Sequence, residues 1–274
     1  MNPPEEPGEL VPRPPELARS FDRVPDGYDA RPGYPHDVFD LLVARCGLGP
    51  GTRVLEVGAG VGQATLPMLN LGAHVTAVDP GAALMRRLVE RTSGRPVTVI
   101  VSAFERAQLP PSSVDLVASA TAFHWVDPAV GVEQCARVLP GGGWLALWWT
   151  IFGDTDRPDP FHDALEPILR EKAPQLVQPA AAPGPYRRDL AARAAYIDAS
   201  GAFGPVALET IRWEGVHDPV ALRRLFATFA GWIVLPDARR AELLDDVERI
   251  ARDRFDGIVR RPYQTVVYTA ERLA

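Results

Sequence analysis

The sequence predicts an α/β fold, a doubly wound and mostly parallel sheet of seven strands with helical insertions toward the C-terminus. Three observations predict it. Between residues 53 and 150, short and nearly continuous apolar runs alternate with segments of helical periodicity, the pattern of parallel strands covered on both faces. A glycine-rich turn, Gly58-Ala59-Gly60-Val61-Gly62, directly follows the first run, where a strand must hand over to a helix in little space. After Thr150 the alternation fails and Pro- and Ala-rich helical stretches take over. Those stretches read as additions to the sheet.

The elements follow in order. Residues 1–15 hold six prolines and several acids, too little apolar surface to offset the entropy of ordering, and are expected to be a disordered lead. From Glu16 to Gly47 helical spacing returns with Phe21, Tyr28, Tyr34 and Val38 to Val43, and Gly47 is placed to end that helix. Strands are expected at Arg53–Val57, His74–Val78, Pro96–Val101, Asp115–Ala118 and Trp144–Thr150, with helices at Gln63–Leu71, Gly81–Arg91 and Ala129–Leu139. Residues 16–150 thus form a core with an N-terminal helical cap. Residues 151–205 read as a helical lid, with helices at Phe161–Glu171 and Asp189–Ala199. Residues 206–274 read as two last strands, Val206–Trp213 and Tyr263–Thr269. Two amphipathic helices lie between them, joined around Leu235-Pro236-Asp237.

The chain has 274 residues, and 29 basic against 35 acidic side chains give 29 − 35 = −6. That balance argues against a nucleic-acid grip, which needs clustered basic charge. No apolar run approaches the roughly 20 residues of a membrane span. The start of the chain lacks a basic segment leading into an apolar one, so no secretory leader and a cytoplasmic location are expected. The cysteines Cys46 and Cys135 lack metal-site spacing. No metal is expected, and composition leaves the oligomeric state open.

The glycine turn carries the chemistry. Its spacing is G-x-G-x-G, unlike the dinucleotide fingerprint G-x-G-x-x-G. Glu56 adds a carboxylate at its mouth. A pyrophosphate on the helix N-terminus would be repelled there, whereas a ligand carrying an ammonium and a sulfonium would be favoured. Asp79 closes the second predicted strand, where a carboxylate accepts hydrogen bonds from ribose hydroxyls or caps the next helix.

Val54-Leu55-Glu56-Val57-Gly58-Ala59-Gly60-Val61-Gly62 followed by Val78-Asp79 resembles the first two motifs of the class I S-adenosylmethionine-dependent methyltransferases, which have a Rossmann-like sheet. Tyr28-Asp29-Ala30-Arg31-Pro32-Gly33-Tyr34-Pro35 and Ala120-Thr121-Ala122-Phe123-His124-Trp125 resemble the branch of trans-aconitate methyltransferase and its small-molecule relatives. The resemblance covers residues 20–150 well and the last third loosely. It implies that Glu56, Gly58, Ala59, Gly60 and Gln63 hold the methionine part of S-adenosylmethionine, with S-adenosylhomocysteine as product. It also implies that Asp79 holds the ribose, that Met85, Ala103 and Phe104 lie at the adenine, and that Pro80 and Ala120 are among the cofactor-binding residues. Ala103 stands where many relatives carry an acidic residue, so adenine is expected to lean on the Phe104 backbone and apolar walls.

Tyr28 and Arg31 lie in the segment such enzymes fold over the cofactor, and Arg31 offers a fork suited to a carboxylate. Tyr34, His124 and Trp125 are expected to line the substrate side, with His124 as the candidate base. The expected function is methyl transfer to a small-molecule carboxylate or hydroxyl oxygen, in specialised metabolism. The alternatives are a methyltransferase-fold protein that binds the cofactor but catalyses a cyclisation, and a non-catalytic binding module. A nicotinamide oxidoreductase is disfavoured by Glu56 and the glycine spacing. A nucleic-acid methyltransferase is disfavoured by the charge.

Overall fold

The structure, a computed structural model, describes residues 31–154, 156–177 and 194–274. The predicted lead, Tyr28 and the first part of the helix predicted from Asp189 lie outside those residues.

Seven strands form one sheet: β1 (Arg53–Val57), β2 (His74–Asp79), β3 (Val97–Val101), β4 (Leu116–Ala120), β5 (Trp144–Ile151), β6 (Ala207–His217) and β7 (Val259–Glu271). Their order is β3-β2-β1-β4-β5-β7-β6. The first five pair in parallel, as Val54 with Val75 and Leu116, while β7 runs antiparallel between β5 and β6. The order reverses between β1 and β4. In open α/β sheets that crevice, beyond the carboxyl ends of the strands, is where ligands bind.

The described α-helices are α1 (His36–Cys46), α2 (Thr65–Asn70), α3 (Ala82–Arg91), α4 (Pro128–Val138), α5 (Pro160–Lys172), α6 (Pro219–Ala227), α7 (Ala230–Ile233) and α8 (Asp237–Phe255), and residues 194–199 are helical as well. Side chains alternate across the central strands. One face packs Val54, Val75, Leu116 and Trp148 against Val38, Leu42, Met68 and Leu88 of α1, α2 and α3. The opposite face packs Leu55, Val117, Leu147 and Trp149 against Val132, Cys135 and Val138 of α4. The near-continuous apolar strands of the sequence are the signature of this double cover.

The last two strands are longer than their apolar pattern suggested. β5 pairs β7 only from Gln264 onward, so Val259–Tyr263 pairs with Trp213–His217 alone and projects beyond the sheet. This projection carries a third core, in which Phe161, Leu165, Leu222, Leu225, Leu243, Val247 and Tyr263 bring α5, α6 and α8 together. Arg261 is 3% exposed at its base. Its Nη2 donates to Asp159 Oδ2 at 2.7 Å and to the Phe152 carbonyl at 3.4 Å. Its guanidinium lies within 5.8 Å of the ring centres of Phe161, Phe226 and Tyr263. Asp159 also receives the His162 N–H at the start of α5, so one carboxylate joins a helix terminus to a strand.

No described helix is long and apolar enough to cross a membrane. Among the described residues no group of three or more His, Cys, Asp or Glu side chains could hold a metal ion.

Candidate active site

A cavity of about 320 Å³ opens over the carboxyl ends of β1, β2, β4 and β5. The glycine turn is its floor. Gly58, Gly60 and Gly62 have φ of 75°, 55° and 93°, left-handed values that glycine adopts without a Cβ penalty. The Gly58 N–H donates to the Val78 carbonyl at 2.8 Å. A Cβ on Gly58 would fall inside the van der Waals envelope of Ala122 Cβ, so the β1 turn and the loop after β4 can touch only through a glycine.

Asp79, 8% exposed, anchors that floor. Its Oδ2 receives the Gly60 N–H at 3.0 Å and its Oδ1 the Gly81 N–H at 2.8 Å. Asp79 lines the cavity beside Pro80. Ala59 and Gln63 line it on the turn, and Ala103, Phe104 and Ala120 complete the far wall. Glu105 also lines the cavity, but its Oε1 is taken by the Asp127 N–H at 3.0 Å.

Glu56 departs from the sequence expectation of a charged carboxylate. It is 1% exposed, and its Oε2 receives the Thr65 hydroxyl at 2.5 Å. Burial above all, with the charge of Asp79 nearby, pushes its carboxyl up to about 8 despite the hydrogen bond from Thr65. The ligand-free protein therefore holds it neutral at pH 7. The unfolded chain releases this proton near the ordinary 4.5 while the folded chain keeps it to about 8. Stability thus falls as pH rises through that interval, by up to ~1.4 kcal/mol per pH unit. Glu56→Gln should remove that slope, which thermal melts from acid to mildly alkaline pH would show; an unchanged slope would place the titration elsewhere.

Two further expectations are corrected. Met85 is 1% exposed and belongs to the core face with Val75 and Leu88. The neighbouring Leu84 lines the cavity instead, because successive helical positions point about 100° apart. His124 does not line the cavity. Its Nδ1 accepts the Trp149 indole N–H at 3.0 Å, and its ring lies 4.7 Å from that of Trp125, which does line it. A neutral ring held this way carries its proton on Nε2 and has no lone pair left for a substrate proton. Arg31 lines the mouth with Pro32, yet its Nε and Nη2 donate to the hydroxyl and carbonyl of Thr228 at 3.1 and 2.9 Å. It joins the N-terminal segment to the end of α6.

The rest of the mouth comprises Tyr34, Thr121, Thr150 and Phe152. The Tyr34 hydroxyl donates to Thr121 Oγ1 at 3.1 Å while its ring stands edge-on to Trp148. Phe152 packs on Phe229 and Tyr263 with ring centres 5.2 Å apart in both cases. Thr121, Thr150 and Phe152 escaped the sequence reading. The carboxyl ends of β4 and β5 were the signal that could have found them.

The site contains what S-adenosylmethionine requires. Among the described residues, the buried carboxyl of Glu56 has no cationic partner, the carboxylate of Asp79 lines the cavity, and no basic cluster awaits a phosphate there.

Comparison with known proteins agrees. A methyltransferase domain family matches residues 55–147. An uncharacterized methyltransferase of Mycobacterium tuberculosis is 37% identical over 136 residues, which are 49% of this chain and 53% of the relative. The match thus spans about half of that relative's length. An uncharacterized methyltransferase of Geobacillus kaustophilus is 30% identical over 168 residues, 57% of this chain and 78% of the relative. Among solved structures, a candidate type II methyltransferase from Anaeromyxobacter dehalogenans superposes with a TM-score of 0.59 at 25% identity, covering 89% of this chain and 98% of that one. With a G-x-G-x-G turn over a β3-β2-β1-β4-β5-β7-β6 sheet and these relatives, the chain belongs to the class I methyltransferases, the family whose methyl donor is S-adenosylmethionine.

Proposed function

We propose that this protein transfers a methyl group from S-adenosylmethionine to an oxygen of a small molecule. The observation that carries the reading is Asp79, held at the end of β2 by the N–H groups of Gly60 and Gly81 where it lines the cavity. Such a carboxylate suits the two hydroxyls of a ribose. Glu56 supplies a buried carboxyl that an ammonium would ionise. The wall of Leu84, Ala103 and Phe104 offers the flat apolar slot an adenine needs.

When bound, the cofactor supplies an activated methyl on a sulfonium: an acceptor lone pair forms the new O–C bond as the C–S bond breaks, and that electron pair stays on sulfur. The protein's own part is then to position the acceptor and exclude water, which accounts for roughly 7–11 kcal/mol of a barrier in well-oriented reactions. Trp125 and Phe152 give the mouth apolar walls, and the Arg31–Thr228 contact draws the N-terminal segment and α6 together beside it. Among the described lining residues there is no histidine, which favours acceptors that ionise without help. His124→Ala is accordingly expected to lower kcat by less than about tenfold, below the 10²–10⁴-fold of a general base; a larger loss with a phenolic acceptor would restore the base role.

The experiment is a turnover screen that follows S-adenosylhomocysteine release with benzoate, benzyl alcohol, catechol and phenol. Release with any of them supports methyl transfer to oxygen. Cofactor binding without release, together with a rearranged unmethylated product from another acceptor, would instead support a cyclase on this fold.

A further inference from the structure

The loop after β4 contains a residue whose conformation and hydrogen bonding the cofactor site does not explain. Thr121 has φ of 55°. A β-branched side chain is unfavourable in that region, and outliers of this kind collect where the surroundings impose them for a purpose. Two elements, β5 and the N-terminal segment, hold it. Its N–H donates to the Trp148 carbonyl at 2.7 Å on β5. Its Oγ1 accepts the Tyr34 hydroxyl at 3.1 Å from the N-terminal segment, and faces the Thr150 N–H at 3.5 Å. A hydroxyl has two lone pairs and one hydrogen, and both lone pairs are engaged. What is left is the hydrogen, with no acceptor among the described residues, on a side chain that lines the cavity.

Thr121 also stands next to Ala122, the residue that touches the Gly58 turn. It is therefore placed at the end of the cavity where the glycine floor meets the substrate mouth.

We propose that Thr121 is the specificity-determining residue for the acceptor: oriented by Tyr34, it donates its hydroxyl hydrogen to one oxygen of a molecule that carries two, leaving the other oxygen to be methylated. This rests on the methyl-transfer reading above and narrows it. A carboxylate, or a vicinal diphenol that has already lost one proton to solvent, meets the requirement; a lone alcohol or phenol does not. Tyr34 acts through Thr121 and is a positioning residue. Its hydroxyl turns the threonine lone pair away from the cavity and so aims the hydrogen inward. In this left-handed conformation the threonine meets Trp148, Tyr34 and Thr150 together.

The test uses matched acceptor pairs, benzoate against benzyl alcohol and catechol against phenol, and four variants. Thr121→Val keeps the branched shape without the hydroxyl, and Thr121→Ser keeps the hydroxyl with less bulk. Thr121→Asn suits the left-handed backbone better, and Tyr34→Phe keeps the ring on Trp148. Calorimetry with S-adenosylhomocysteine is expected to give dissociation constants within about threefold of wild type for all four.

Wild type should favour the two-oxygen member of at least one pair by tenfold or more in kcat/KM. Thr121→Val and Tyr34→Phe should erase that preference, chiefly through KM, and Thr121→Ser should restore it. Thr121→Asn should melt at or above the wild-type temperature while losing the preference, which separates the role from a structural one. The proposal is overturned by a wild type that binds cofactor but prefers neither two-oxygen acceptor, by turnover of none of them, or by a Thr121→Val variant that keeps the preference. It is also overturned if that variant loses cofactor affinity instead. Failure of wild type to bind S-adenosylhomocysteine would be a failure of the methyl-transfer reading itself.

Discussion

Gly58→Ala is expected to abolish cofactor binding while leaving a folded protein. The backbone there has φ of 75°, which costs an alanine about 1–2 kcal/mol. The added methyl would also overlap Ala122 Cβ, and neither partner is the end of a flexible side chain. One of the two loops must move. Either movement displaces the Gly60 N–H from Asp79 or separates Ala122 from the turn that floors the cavity. An affinity loss of at least ~100-fold, about 2.7 kcal/mol, is expected by calorimetry with S-adenosylhomocysteine, with a lower but cooperative melting transition. Gly62→Ala provides a graded comparison. Its Cβ would overlap Leu88 Cδ1 at 2.6 Å, a side-chain tip that can rotate, and would meet Thr65 Oγ1 and Cβ at ordinary contact distances of 3.4 and 3.6 Å, so backbone strain is its main cost. Equal affinities for wild type and Gly58→Ala would show that the turn does not form the floor of the ligand site.

Arg261→Ala is expected to be the most destabilising single change, by about 3–5 kcal/mol in denaturant unfolding. The substitution leaves Asp159 without its cation and opens a void among Phe161, Phe226 and Tyr263. A buried pair loses far more when one partner is removed than when both are replaced. Arg261→Met combined with Asp159→Asn should therefore recover most of the stability, since methionine fills the aromatic space and asparagine still caps the start of α5. No recovery in the double variant would mean that the charge itself organises the insertion. Because Arg261 also donates to the Phe152 carbonyl, the same variants report whether the projecting β6–β7 arm holds the cavity wall in place.

The parallel sheet was legible because burial on both faces leaves an unbroken apolar run, which no surface helix shows. The placement of Asp79 and the glycines was legible because it depends on chain position alone, at the end of one strand and in the turn after another. The rest depended on partners remote in sequence. Arg31 finds Thr228, 197 positions away, and His124 is turned by Trp149 of the neighbouring strand. The proton on Glu56 follows from the depth at which α2 seals it, which no local pattern encodes. Met85 and Leu84 differ only in helical phase. Thr121 announces itself through a backbone angle, and threonine is the kind of residue from which sequence reasoning least expects a positive φ.

The central claim is that the cavity over the Asp79 anchor takes S-adenosylmethionine, and calorimetric titration tests it most directly. Wild-type protein titrated with S-adenosylmethionine and S-adenosylhomocysteine is expected to bind both at micromolar strength, about −8 kcal/mol. Asp79→Ala should bind about 10- to 100-fold more weakly, the loss associated with hydrogen bonds to a charged group. Failure of the wild type to bind either compound, or equal affinity in the variant, would contradict the account.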